Sequence, residues 1–458
     1  MMKRNIVKLC WFTMKSIITF SNGRRYSQYQ KYKGMKMDKR IKELIDYTRE
    51  KYGLHEYHLH TFHINRSTTI FNETVYTLSM EWFPNDIKDW GDETCNPEGT
   101  ACIEIDLHSR KVRSVIYVGG RSYTDSMTFD LNNKDGIIKW IEKETGLNYK
   151  KQFEFWKEEE RELHFKECID GFAVSPSGYI ECKLDEEGKL ILFSVTGQFP
   201  SKKLVKQDMY TLSFEQLEEL VKEQLKLVEF PIMQQHKLVP AFAIEEIYIK
   251  NDCSSTLPFE FLVDDKSRLQ MDKVVEWNYQ IQQPFHRKII SLIENVTPEQ
   301  AFRCEPHPDL QPITEEEVKK CISAVQKFLS QEYANDSGKW VLKSLHRDKG
   351  YIHATLRAKE QEERVFKRKM KLFIDSKTYE VLNLMDNKSF LEMYMELKEV
   401  DEIKVTKEKA FEQLKDFIQL TPYYVYDFEE GYYVLCGKLD CQYAVKACNG
   451  EIVELSEL

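Results

Sequence analysis

Hydrophobic positions along the chain follow two alternating periods. Ile41, Leu44, Ile45, Thr48 and Tyr52 recur at i, i+3, i+4, i+7 and i+11, the spacing of one helical face. Ile137, Ile138 and Ile141 predict a second helix near 135–144, stopped by Gly146. Ser213-Phe214-Glu215-Gln216 and Thr314-Glu315-Glu316-Glu317 read as capping boxes, in which side chains satisfy the free amides of a first helical turn. A further helix is expected after Thr406, burying Ala410, Leu414, Phe417 and Ile418. After each helix the period falls to two, the mark of half-buried strands, as in 340–346, 351–357, 423–427 and 432–437.

One short signature closes each such stretch: an alternating strand, Asp, a few turn residues, a charge, and a second apolar strand. It recurs around Asp106, Asp185, Asp264 and Asp375, and around Lys446, which stands where Asp would. Asp, Asn, Ser and Gly cap and turn a chain, so the signature predicts a hairpin. Asp106 to Asp185 and Asp185 to Asp264 are both 79 residues, then 111 to Asp375 and 71 to Lys446. Equal early spacing implies duplication. The predicted fold class is therefore α+β: about five tandem units, each one helix packed on about four antiparallel strands. The boundaries read 37–125, 126–200, 201–280, 313–400 and 401–458. A helical insertion or linker occupies 281–312, where Thr297-Pro298-Glu299-Gln300 is another capping start.

The last unit opens a helix at 406–410, continues through Leu420-Thr-Pro-Tyr-Tyr-Val-Tyr426, and closes with Tyr443-Ala-Val-Lys-Ala-Cys-Asn-Gly-Glu-Ile-Val453. With Tyr76-Thr-Leu-Ser-Met-Glu-Trp-Phe-Pro84 and Asn96-Pro-Glu-Gly-Thr-Ala101, this resembles the bacterial YcdB/YcdC repeat family, whose units look like the PepSY domain. The resemblance runs from about Met37 to the C-terminus and is specific in the first and last units. It implies a PepSY-like fold rather than an activity. PepSY-like domains occur in propeptides of secreted metallopeptidases, where they are associated with inhibition; no His-Glu-x-x-His stands in this chain.

Charge narrows the partners. The net charge is −9, yet residues 1–36 hold nine Lys/Arg and no acid, leaving 57 basic against 75 acidic residues in the rest. Such a body repels a phosphate backbone and shows no basic stripe with interleaved aromatics, so nucleic acid is excluded as a partner. The basic leader reads as lying outside the fold, with translation starting at Met1, Met35 or Met37. Membrane-surface attachment through residues 1–36 and export are the alternatives. No stretch reaches the ~18 consecutive apolar residues of a membrane-spanning helix. The eleven cysteines form no C-x-x-C and sit in apolar patterns, which favours free thiols and a cytoplasmic location.

Candidate chemistry is sparse. His58 and His60, two apart on a strand, would face one way and are the candidates for a zinc ion, which would need a third ligand the sequence does not name; a solvated strand face is the preferred reading. The loop at 91–99 offers Asp92, Glu93, Asn96 and Glu98 as binding residues or as a plain turn. Asp185-Glu186-Glu187 and Glu315-Glu316-Glu317 read as a hairpin turn and a helix first turn. Gly119-Gly120-Arg121-Ser122 lacks phosphate-loop spacing. No catalytic residue and no cofactor is assigned. The expected function is non-catalytic binding of a peptide or protein partner, the alternative a hydrolase-like enzyme with a site assembled between units.

Overall fold

The computed structural model describes residues 37–458 except 88–94, 125, 233–236, 259–267, 293, 360–366, 396 and 398. The chain begins with helix α1 (Lys39–Lys51) and strands β1 (Tyr57–Thr68), β2 (Thr74–Pro84), β3 (Ala101–Asp106) and β4 (Val112–Tyr117). Helix α2 (Lys134–Thr145) is followed by β5 (Phe153–Glu159), β6 (Glu162–Ile169), β7 (Phe172–Ser175), β8 (Tyr179–Leu184) and β9 (Leu190–Thr196). Helix α3 (Phe214–Gln224) leads into β10 (Leu225–Ile232), β11 (Lys237–Ile244), β12 (Ile247–Lys250), β13 (Thr256–Pro258) and β14 (Leu269–Val275). Helices α4 (Pro298–Phe302) and α5 (Glu315–Glu332) precede β15 (Trp340–Asp348), β16 (Tyr351–Ala358), β17 (Lys369–Asp375) and β18 (Val381–Asp386). Helix α6 (Lys388–Met395), β19 (Glu399–Val400) and α7 (Lys407–Leu414) lead to β20 (Gln419–Asp427), β21 (Tyr432–Asp440), β22 (Tyr443–Lys446) and β23 (Ile452–Glu454).

Local chemistry sets these elements. Asp38 caps α1 by accepting the Arg40 amide at 2.8 Å, and Asn133 caps α2 by accepting the Gly136 amide at 2.9 Å. Gly146, at φ +72°, ends α2 in the left-handed conformation that costs glycine least. Ile41, Leu44, Ile45, Thr48 and Tyr52 are all buried, as their spacing predicts. Phe417 departs from its predicted role and stands 38% exposed. The hairpin Asp acts as a turn acceptor: Asp106 takes the Ser109 amide at 2.7 Å, Asp185 the Glu187 and Lys189 amides at 2.9 Å, and Asp375 the Thr378 amide at 2.8 Å. In the last hairpin Asn449 takes that part, accepting the Glu451 amide at 3.0 Å. The turn at Asp264 lies outside the described residues.

The predicted α+β class, with one helix packed on about four strands in each unit, is overturned. Among the described residues the molecule is mostly β, 40% strand against 23% helix, and its seven helices do not fall one to a repeat. The described strands cross the expected borders to form one sheet of 13 and two of five. The 13-stranded sheet runs β1-β2-β3-β4-β9-β8-β6-β7-β20-β21-β12-β13, with β5 attached to β6. The second runs β10-β11-β22-β23 with β19 on β11, and the third is β14 to β18 in order. A four-stranded unit leaves two edges of unpaired N–H and C=O groups. Here neighbours satisfy those edges. Strand β4 pairs with β9 through Val115 and Phe193, β7 with β20 in parallel, β12 with β21, and β11 with β22.

The cores follow the sheets rather than the sequence order. Helices α1 and α2 share one core with β1 to β6, β8 and β9, to which Val296 and Ala301 also contribute. Helices α3 and α7, about two hundred residues apart in sequence, share another through Leu217, Val221, Ala410, Phe411 and Leu414. Helix α5 alone covers the third sheet with Cys321, Val325, Phe328 and Leu329. The stretch 276–314 is helical only briefly. It ties the third sheet to the first: Trp277 enters the α5 core, Lys288 donates its amide to Leu382 at 2.7 Å, and the His307 amide reaches Thr74 Oγ1 at 2.8 Å.

Candidate functional site

The outer face of the β5–β6–β8 ribbon gathers a cluster of interacting polar and aromatic side chains. Alternation along β6 sends Leu163 and Phe165 into the core, at 4% and 1% exposure, and leaves Glu162, His164 and Lys166 on the opposite face. A register shift between Phe155 and Lys157 on β5 brings Trp156 to the same side. Its ring lies 6.4 Å from His164 and 6.1 Å from Tyr179. Lys166 and Lys157 place their ammonium groups 3.7 and 4.9 Å from its centre.

His164 occupies the middle of this face at 8% exposure. Antiparallel register sets it directly opposite Glu181 on β8. Its Nε2 lies 3.4 Å from Glu162 Oε1 and 4.0 Å from Glu159 Oε2, and its Nδ1 lies 3.8 Å from Glu181 Oε1. Nε2 is nevertheless buried without a hydrogen bond. Lys183 sits 3.2 Å from Glu162 and Lys157 2.5 Å from Glu159. Among the described residues, Glu162, His164 and Glu181 bring one donor atom each within 4.8 Å of one another.

Beside this cluster the ribbon ends in β5, which pairs only with β6 among the described strands. Phe155 and Trp156 are 40% and 37% exposed, as is Leu131 at 40% on the turn before α2. An open depression of about 460 Å³ lies between that turn and β5, lined by Leu131, Asn132, Asn133, Lys134, Asp135 and Glu158. A second, of about 390 Å³, lies between the Gly120–Tyr123 segment and the Asp185 turn.

The residues singled out from the sequence lie elsewhere. His58 and His60 flank Phe83 on β2, His60 stacked on it at 3.8 Å and His58 edge-on at 6.2 Å. Partial burial lowers the His60 pKa. Asp92 and Glu93 lie outside the described residues. Asn96 donates to Glu81 Oε1 at 3.2 Å, and Glu98 lies 3.7 Å from Arg121, so both tie the loop to neighbouring segments. Glu317 serves the α5 capping box, accepting the Thr314 amide at 2.9 Å.

Sequence reasoning missed two histidine clusters. Glu162 and His164 were not singled out there, and only the pairing with Glu181 makes them a cluster. The pattern Glu-x-His on a strand was the available signal. The second is His346 and His353, opposite each other on β15 and β16 with ring centres 4.7 Å apart. Burial holds their pKa values down, to about 2 and about 3. Neither nitrogen of His353 has a hydrogen-bond partner, nor does Thr355 Oγ1. Of the ten described cysteines five are core residues, while Cys95, Cys253 and Cys304 are exposed; Cys182, Cys321 and Cys436 are fully buried, and burial pushes each of their thiols up to about 12.

No protein-family profile matches the sequence, and no curated protein matches it. In structure the chain is similar to the C-terminal domain of YpeB from Bacillus megaterium. The similarity spans 77% of this chain and 99% of that one, at 10% identity and a TM-score of 0.23. A likeness at this TM-score carries no argument. No helix among the described residues is long and apolar enough to cross a membrane.

Proposed function

We propose that the protein is a non-catalytic recognition module that binds an extended peptide segment along β5. The observation that carries this reading is an edge strand with exposed aromatic side chains: β5 has one strand neighbour among the described residues, and Phe155 and Trp156 stand 40% and 37% exposed on it. An edge strand presents backbone donors and acceptors that a second chain satisfies by pairing, while alternate side chains give specificity. The depression between β5 and Leu131 supplies space for one row of side chains, and Lys134, with its ammonium 5.2 Å from the Phe155 ring centre, borders it. The open form of both depressions supports surface recognition over an enclosed reaction chamber.

The test is selection of peptides from a displayed random library against the full chain, followed by amide hydrogen exchange. Selected peptides are expected to slow exchange in Phe153–Glu159 and to bind at least tenfold more weakly to Phe155→Asp. Selected peptides that leave β5 unprotected would overturn the reading.

A further inference from the structure

We propose that Glu162, His164 and Glu181 form a binding site for one divalent transition-metal ion of the zinc type. Three observations converge. First, the three side chains project from one sheet face because His164 follows Glu162 by two residues on β6 and pairs with Glu181 on β8. Second, their donor atoms already lie within 4.8 Å of one another. Ligands about 2.0–2.1 Å from a tetrahedral zinc are separated by roughly 3.3–3.4 Å. The 3.4 Å between His164 Nε2 and Glu162 Oε1 meets that spacing. Glu181 Oε1, now 3.8 Å from the other ring nitrogen, Nδ1, must swing to the Nε2 side, closing from within 4.8 Å of the other donors to about 3.4 Å, which a side chain 43% exposed is free to do. Third, His164 Nε2 is buried without a hydrogen bond, on a residue 8% exposed. A buried ring nitrogen that makes no hydrogen bond is unfavourable, and a metal bond would satisfy it.

Glu159, Glu162 and Glu181 bring three negative charges to the face, balanced by Lys157, Lys183 and Lys166, so the donor set rather than net charge carries the assignment. Metal binding would release Lys183 from Glu162 into solvent. A mixed imidazole–carboxylate set suits zinc and its first-row neighbours, whereas calcium and magnesium prefer oxygen alone. Three protein ligands leave a fourth position to water. The site does not depend on peptide binding at β5, so each proposal stands or falls by itself.

The test is titration of the metal-stripped full chain with zinc and with cobalt at pH 7.5, read by calorimetry and by visible absorption of cobalt. One equivalent per chain is expected, with the absorption bands of a four-coordinate site. His164→Gln should abolish that equivalent, and Glu181→Gln should weaken it at least tenfold. The second variant alters a half-exposed side chain, so it decides the matter if the first fails to fold. His58→Gln and His60→Gln should bind like the wild type. No retained equivalent, undiminished binding by Glu181→Gln, or loss of binding in the His58 and His60 variants would overturn the assignment.

Discussion

Glu167 accepts the backbone N–H of Gly178 at 2.6 Å through Oε2 while its Oε1 is buried without a partner. Burial pushes this carboxyl up to about 8, against the smaller opposing effect of the Gly178 and Phe199 amides. The folded chain therefore keeps the proton up to about pH 8, whereas the unfolded chain releases it near 4.5. Stability from this group is fully present below 4.5 and is lost as pH rises through that window, by about 1.4 kcal/mol per unit. Glu167→Gln should remove this slope. Urea unfolding midpoints between pH 5 and 8 check it; an unchanged slope in the variant would assign the loss to other groups.

The His346–His353 pair works in the opposite direction. Burial, foremost, keeps both rings neutral down to about pH 2 and about pH 3, against 6.5 when unfolded. Their contribution is complete above 6.5 and is lost as pH falls, by up to about 1.4 kcal/mol per unit for each ring. Together with Glu167 this predicts maximal stability near pH 6.5. His353→Gln should shrink the acid-side slope by about half of the pair's share, read from the same urea series. An acid limb as steep in the variant as in the wild type would exclude the pair.

Glu317 shows how unequal adjacent carboxylates are. Arg347 Nη2 lies 2.7 Å from both its oxygens, and Tyr379 donates its hydroxyl at 3.1 Å. Burial acts to raise its pKa, but the Thr314 amide and the Arg347 guanidinium outweigh it and hold the carboxyl at about 2. Glu317→Gln should cost about 2–4 kcal/mol, because it leaves Arg347 half-buried without its counter-charge. Glu316, 77% exposed beside Lys320, should change stability by less than about 0.5 kcal/mol when replaced by Gln. Equal effects at the two positions, measured by thermal unfolding, would contradict this ranking.

Local chemistry was legible in the sequence; assembly was not. The capping residues Thr314 and Thr406 accept the amides of Glu317 and Lys409, as their spacing implies, and Asp106, Asp185 and Asp375 close their hairpins. These features need only a few consecutive residues. The pairing of Ala241 with Lys446, or of Tyr423 with Ala173, joins strands about two hundred residues or more apart, and nothing in either segment names its partner. Alternating apolar residues state that a strand has a buried face; they do not state which edge it meets. The Glu162–His164–Glu181 cluster was hidden for the same reason, since Glu181 joins it only through cross-strand register.

That long-range pairing predicts that the last stretch is required for the middle of the molecule to fold. Removing 401–458 would strip β20 from β7, β21 from β12 and β22 from β11. It would also uncover Leu217, Val221 and Ile249, which now pack on residues of α7 and its following strands. Three open edges and an exposed apolar core cost far more than the marginal stability of a domain. A chain ending at 400 should therefore bind a hydrophobic dye and lose its cooperative unfolding transition, while α5 and β15 to β18, whose core lies within 275–384, keep protected amides. Adding 401–458 as a separate chain should restore the transition, because β20 to β23 then re-enter the same edges. A truncated chain that unfolds cooperatively at the wild-type midpoint would show that the shared core between α3 and α7 is dispensable.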